Sequence, residues 1–169
     1  MQETKESRES ATDEGWRISG VYLILIIVLG AAAILFLINT IGKESSYQPD
    51  RVGDEFHIDK SKIDTSASFI SYDSGGVKIK YFAVVGSDKK IHVALDACDV
   101  CFDKKRGYTQ RDNVMHCNNC GQEFAINGLG TENLDPGCWP GYLPVAESSD
   151  GDTLIVTIAD LEAKKFMFV

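Results

Sequence analysis

The chain has 169 residues, with 17 basic and 25 acidic side chains and a net charge of −8. After residue 42 there are 14 basic and 20 acidic residues, and this acidic excess argues against nucleic acid as a partner, because phosphate binding needs a basic face. The roughly 125 residues that follow position 42 are enough for one small domain with its own core.

Residues 1–17 carry eight charged side chains and predict a disordered cytoplasmic tail. Residues 18–42 carry no charge, and as a helix they would be about 37 Å long, enough to cross a hydrocarbon core of about 30 Å. The small residues 31–33 lie in the middle of this stretch rather than after it, which favours an uncleaved anchor over a signal peptide. Basic residues flank both sides, so charge does not decide the orientation. We expect a single-pass protein of the cell membrane, with the tail inside and the cysteine-containing domain outside.

Residues 43–54 contain serines, Pro49 and Gly53, which predict a linker. Residues 55–169 predict a β-rich metal-binding domain, with His92 on the polar, exposed side of its strand. The strands are expected at 66–71, 77–85, 91–95, 114–116, 122–126, 143–145, 153–158 and 166–169, and one helical turn at 160–165. The fold class is mainly β: a small antiparallel sheet domain with a metal lobe between hairpins, preceded by one transmembrane helix.

Four cysteines form two pairs, Cys98-x2-Cys101 and Cys117-x2-Cys120, separated by 15 residues. Thiolates at this spacing converge on one tetrahedral ion or one small iron–sulfur cluster, so all four are candidate ligands. Zinc in a zinc-ribbon-like lobe, a 2Fe–2S cluster and a single iron in a rubredoxin-like lobe all remain open. Two disulfides, or a thiol–disulfide oxidoreductase that uses one pair, are the alternatives. The fifth cysteine, Cys138, is expected near the site as a cover, a substitute ligand or a free thiol.

A run of basic residues, Lys104 to Arg106, lies between the two pairs, with Arg111 shortly after it. These side chains could dock an acidic redox partner or could simply form a solvated loop face.

The order of segments resembles the Rieske-type ferredoxin domain. A hairpin leads through residues 93–98 to the first cysteine loop, residues 114–124 contain the second, and a proline-containing loop follows at 137–145. Rieske loops pair a cysteine with a histidine, whereas Cys101 and Cys120 stand in the histidine places here. Ligation by four thiolates then implies a lower reduction potential than that of a Rieske centre.

A closer resemblance is to the FtrD-like family of membrane iron–sulfur proteins, which are associated with iron transport. It is carried by residues 94–101, Gly107-Tyr108, residues 117–121, and Gly137-Cys138 with Pro140. The family usually has a second glycine and an asparagine on either side of this last cysteine, where the chain has Pro136 and Trp139. The resemblance implies an iron–sulfur protein, with 2Fe–2S favoured, that transfers electrons or handles metal beside a transporter or redox partner protein. We expect a non-catalytic electron carrier or metal-binding protein rather than an enzyme; a zinc-stabilised interaction module is the main alternative.

Overall fold

The computed structural model describes residues 22–31, 47–132 and 137–169. The chain divides into two units, residues 1–43 and 44–169. In the first, residues 22–31 are helical, and their large apolar side chains are exposed. The predicted tail and the rest of the predicted membrane segment lie outside the described residues. Within the part that is described, no helix is both long enough and apolar enough to span a membrane.

The second unit is mainly β and contains three antiparallel sheets. The first sheet has the order β1-β2-β11-β10, the second β3-β4-β5-β9 and the third β6-β7-β8. The strands are β1 (Asp50–Val52), β2 (Glu55–Asp59), β3 (Ser68–Ser74), β4 (Val77–Val85), β5 (Ile91–Cys98), β6 (Tyr108–Arg111), β7 (Val114–Cys117), β8 (Glu123–Ala125), β9 (Pro140–Tyr142), β10 (Ala146–Glu147) and β11 (Thr153–Thr157). One short α-helix, Ile158–Ala163, follows β11.

The second sheet is covered on both faces, and this explains the long apolar run in β4. Tyr81 and Ala83 belong to a core shared with the first sheet and the C-terminal helix, whereas Phe82 and Val84 belong to a core shared with the third sheet. Successive side chains of a strand point to opposite faces, so a strand buried on both sides is apolar at every position. Cys98 and Cys117 lie in the second of these cores, which brings the ends of β5 and β7 together.

His92 is buried rather than exposed, with 9% of its surface accessible, so that prediction is wrong. The alternation in β5 suggested one polar face, but the chain after β8 covers that face. The Nδ1 atom of His92 lies 2.9 Å from the carbonyl oxygen of Leu129, and Nε2 lies 3.1 Å from Asp88.

Three predicted segments also adopt a different kind of structure from the one expected. Strand β1 lies inside the segment predicted as a linker, because it pairs with β2. The predicted strand at 143–145 falls between β9 and β10. The predicted terminal strand is a 3-10 helix, Lys165–Phe168, in which Met167 packs into the first core and its amide donates to the carbonyl oxygen of Lys164 at 3.0 Å.

Candidate metal centre

The first cysteine loop begins where β5 ends. Cys98 is the last residue of β5 and lies opposite Pro140 of β9. The amide of Asp99 donates to the carbonyl oxygen of Trp139 at 3.0 Å, so the loop that contains Cys138 is bonded directly to the first cysteine loop. Pairing of β5 with β9 therefore explains why a cysteine 40 positions along the chain lies beside Cys98.

The chain turns tightly around the Cys98 sulfur. The amides of Val100 and Cys101 point at the Sγ atom of Cys98, at 3.4 and 3.3 Å. Backbone N–H groups directed at one sulfur are typical of turns that present a cysteine to a metal ion or an iron–sulfur cluster.

The second cysteine loop follows β7 and closes on itself. The amide of Cys117 donates to the carbonyl oxygen of Gln122 at 2.8 Å, and the amide of Gly121 donates to that of Cys117 at 3.0 Å. Gly121 has a φ of +77°, a left-handed conformation that glycine adopts without the strain of a side chain. This glycine lets the chain return to β8 directly after Cys120.

All five cysteines are free thiols, and their sulfurs form two groups of three. Cys98, Cys101 and Cys138 form one group, and Cys101, Cys117 and Cys120 form the other; within each group the sulfurs lie within 4.8 Å of one another. Cys101 belongs to both groups, and its Sγ atom is 3.6 Å from that of Cys117. Cys98 and Cys117 are buried, Cys101 and Cys138 are half-buried, and Cys120 is exposed. We call these five residues the thiol centre.

The thiols influence one another's ionisation. Burial raises the pKa of Cys138 to about 12, helped by its contacts with Cys120 and Cys98. Burial also raises the pKa of Cys101, together with contacts to Cys98 and Cys117. Burial works against the Cys117 thiolate too, but hydrogen bonds from the amides of Cys120 and Asn119, together with those from the thiols of Cys120 and Cys101, hold the pKa of Cys117 below its ordinary value. Burial and mutual contact thus oppose ionisation of Cys101 and Cys138, and a bound cation would offset that cost.

Tyr108 connects the strand that ends in Cys117 to the loop that contains Cys138, a role that the sequence did not reveal. It lies opposite Cys117 in the β6–β7 pair, and its hydroxyl donates to the carbonyl oxygen of Cys138 at 2.6 Å. Its amide donates to Asp96 Oδ1 at 2.6 Å. The only available signal was Gly107-Tyr108 in the family resemblance, because neither residue is a metal ligand.

Aromatic side chains pack in the core that contains Cys98 and Cys117. Trp139 packs on Phe124 with ring centroids 4.7 Å apart, and both belong to the core around Cys98 and Cys117. An apolar environment of this kind around Cys98 and Cys117 strengthens the electrostatic interactions of their sulfurs.

The family model described as "Membrane iron-sulfur containing protein FtrD-like" matches residues 63–168. The match covers more than half of the chain and includes both cysteine pairs, Tyr108 and Cys138. No curated protein and no solved structure matches the chain. The chain therefore belongs to the FtrD-like family of membrane iron–sulfur proteins.

Proposed function

We propose that the chain is a membrane-anchored electron carrier whose thiol centre binds a 2Fe–2S cluster through Cys98, Cys101, Cys117 and Cys120. The observation that carries this proposal is that these four sulfurs do not form one compact group: those of Cys101, Cys117 and Cys120 lie within 4.8 Å of one another, whereas Cys98 is grouped with Cys101 and not with the other two. A single tetrahedral ion with metal–sulfur distances of about 2.3 Å needs its four sulfurs about 3.8 Å apart in one group. Sulfurs that are spread more widely than this suit a binuclear cluster, whose ligands lie farther apart than those of a single ion.

The donor set fits an iron–sulfur cluster. Cysteine thiolates are the usual ligands of such clusters, and the amides directed at Cys98 Sγ are the kind of hydrogen bond that tunes their potential. A 2Fe–2S cluster bound by four thiolates would supply one-electron transfer at a lower potential than a centre with histidine ligands. Cys98 and Cys117 would hold it on the buried side, and Trp139 with Phe124 would exclude water there. The exposed Cys120 marks the side from which a redox partner would approach.

The family resemblance, which associates such proteins with iron transport, supports a partner in or at the membrane. We propose that the carrier works beside a membrane transporter or its redox partner. We also propose that the β-rich unit lies outside the cytoplasm. A C-terminal fusion to alkaline phosphatase, an enzyme that needs disulfides, should be active in cells; an inactive fusion that is expressed normally would place this unit inside.

The cofactor is tested on the full-length chain, purified anaerobically in detergent. We expect coloured protein, two irons and two acid-labile sulfides per chain, and an EPR signal of one unpaired spin after reduction. Cys117→Ser should abolish the signal, whereas Cys138→Ser, a change of the same kind in the same centre, should retain it. Colourless protein with one zinc per chain would refute the proposal.

Zinc is the second candidate, and one observation favours it. Cys101, Cys117 and Cys120 alone form a compact group, and the 3.6 Å between the sulfurs of Cys101 and Cys117 is close to the spacing that one tetrahedral ion needs. A zinc ion there would stabilise the third sheet without redox chemistry. The metal content and EPR spectrum described above separate the two candidates.

A further inference from the structure

A cavity of about 520 Å³ opens beside the thiol centre. Cys98, Cys101 and Cys117 line it on the side of the centre. Apolar atoms of Phe102, Met167 and Phe168 line another part. Its volume lies within the range of small-molecule sites, about 300–1,000 Å³, and its mixture of apolar surface and a few charged groups is typical of them.

Four cationic side chains surround this cavity. Lys78 and Lys80 come from β4, and Lys105 and Arg106 come from the loop that follows the first cysteine pair. Among the described residues, none of the four has an ion-pair partner. The cations come from two segments about 25 positions apart in the sequence, so their convergence is a product of the fold.

The opposing negative charge is small. Asp96 is the only acidic side chain among the lining residues, and its carboxylate already accepts the amide of Tyr108 at 2.6 Å. The chain as a whole carries a net charge of −8, so a cavity with four cations, set against the carboxylate of Asp96 and that of the last residue, Val169, is a local reversal of sign. Concentrated charge of one sign in a concave site attracts and holds ligands of the opposite sign.

We propose that this cavity binds a small organic anion with two or three carboxylates, whose carbon skeleton lies against the apolar wall. A guanidinium such as that of Arg106 can bind a carboxylate through two parallel hydrogen bonds, and lysines bind it as point charges. A concave site of this size suits a small molecule better than the flat acidic surface of a protein. The proposal goes beyond the electron-carrier function and does not depend on which metal the thiols hold.

The test is calorimetric titration of the full-length protein, in detergent and with its metal in place, at low ionic strength. The probe is tricarballylate, which has three carboxylates but lacks the hydroxyl that makes citrate a strong chelator, so it leaves the metal in the centre. We expect saturable binding of one anion per chain that weakens as salt is added, because salt screens exposed charges. Acetate, with one carboxylate, should bind far more weakly.

Two double variants remove cations from the cavity: Lys78→Gln with Lys80→Gln, and Lys105→Gln with Arg106→Gln. Each should weaken tricarballylate binding about tenfold or more, where tenfold corresponds to about 1.4 kcal/mol. The matched control is Lys89→Gln with Lys90→Gln, which removes the same charge from the turn after β4, at the far end of that strand. The control should change the affinity less than about twofold, since these charges are remote from the cavity.

Metal content is measured for every variant. Lys78 and Lys80 lie on a strand outside both cysteine loops, so this pair decides the matter even if the loop variant loses metal. The proposal is overturned if tricarballylate does not saturate, if the β4 pair behaves like the control, or if phosphate or a polyglutamate peptide binds more tightly. Zinc-loaded protein that binds tricarballylate would instead refute the iron–sulfur proposal and leave this one standing.

Discussion

Two buried tyrosine hydroxyls provide a matched test of how the centre is held together. The hydroxyl of Tyr108 donates to the carbonyl oxygen of Cys138 at 2.6 Å, and the side chain is 5% exposed. The hydroxyl of Tyr81 is fully buried and has no hydrogen-bond partner among the described residues. Burial raises the pKa of both tyrosines, and the neighbouring Cys98 adds to the effect at Tyr108, so both hydroxyls remain protonated over the usual pH range.

The change Tyr108→Phe removes the donor and leaves the Cys138 carbonyl unpaired, which costs about 1–3 kcal/mol. For a chain of this size each kcal/mol lowers the melting temperature by about 3 °C, so we expect a fall of roughly 3–9 °C. Tyr81→Phe removes a buried hydroxyl that gains nothing from the fold, so its melting temperature should stay the same or rise.

The assay is thermal unfolding of the full-length protein in detergent, followed by near-ultraviolet circular dichroism at equal metal content. Equal metal content matters because a bound metal adds its own binding free energy to stability. A native melting temperature for Tyr108→Phe, or an equal fall in the melting temperatures of Tyr81→Phe and Tyr108→Phe, would refute a stabilising role for the Tyr108 hydrogen bond.

Three further changes follow from the geometry. Gly107→Ala should lower stability and metal retention more than Gly53→Ala. Both glycines have a φ of +60°, but only at residue 107 would the new methyl group meet a carboxylate, that of Asp96. Thermal unfolding and metal analysis of the two variants measure the difference. Thr157→Ala should lower the free energy of unfolding by about 1 kcal/mol in denaturant titrations, because Thr157 Oγ1 accepts the amide of Asp160 at 3.1 Å at the start of the C-terminal helix; an unchanged midpoint would contradict this. Hydrogen bonds from the amide of Lys90 and from His92 hold the pKa of Asp88 below its ordinary value of 3.8. In pH-dependent unfolding, the native chain should therefore be more stable than Asp88→Asn above pH 3.8. This difference in stability should disappear as the pH falls through the lowered pKa.

Much of the β structure could be predicted because the pattern is local. β4 occupies the predicted residues, Val77–Val85, and β5 leads directly into Cys98 as expected. Alternating β-branched and aromatic residues bounded by glycine turns are sufficient for such strands. The burial of His92 could not be predicted in this way, because it depends on a segment nearly 40 residues later in the chain that packs over its strand.

The thiol centre shows the same division. The spacing of the two cysteine pairs marked four residues as candidate ligands, since two C-x2-C turns present thiolates wherever they occur. It did not reveal that Cys101 is shared between two groups of sulfurs, or that Tyr108 bonds to the Cys138 loop. Those contacts depend on the pairing of β5 with β9 and of β6 with β7.

By itself the sequence determined the chemistry that is available: five thiols, an acidic chain, a long uncharged N-terminal segment and a β-rich remainder. Only the tertiary structure decided which of these groups meet. Cys138 lies against Cys98 because β9 pairs with β5, and Lys78 faces the same cavity as Arg106 because β4 lies beside β5. Composition and spacing can be read along the chain, whereas contacts between distant residues depend on strand pairing and core packing, which a local pattern does not reveal.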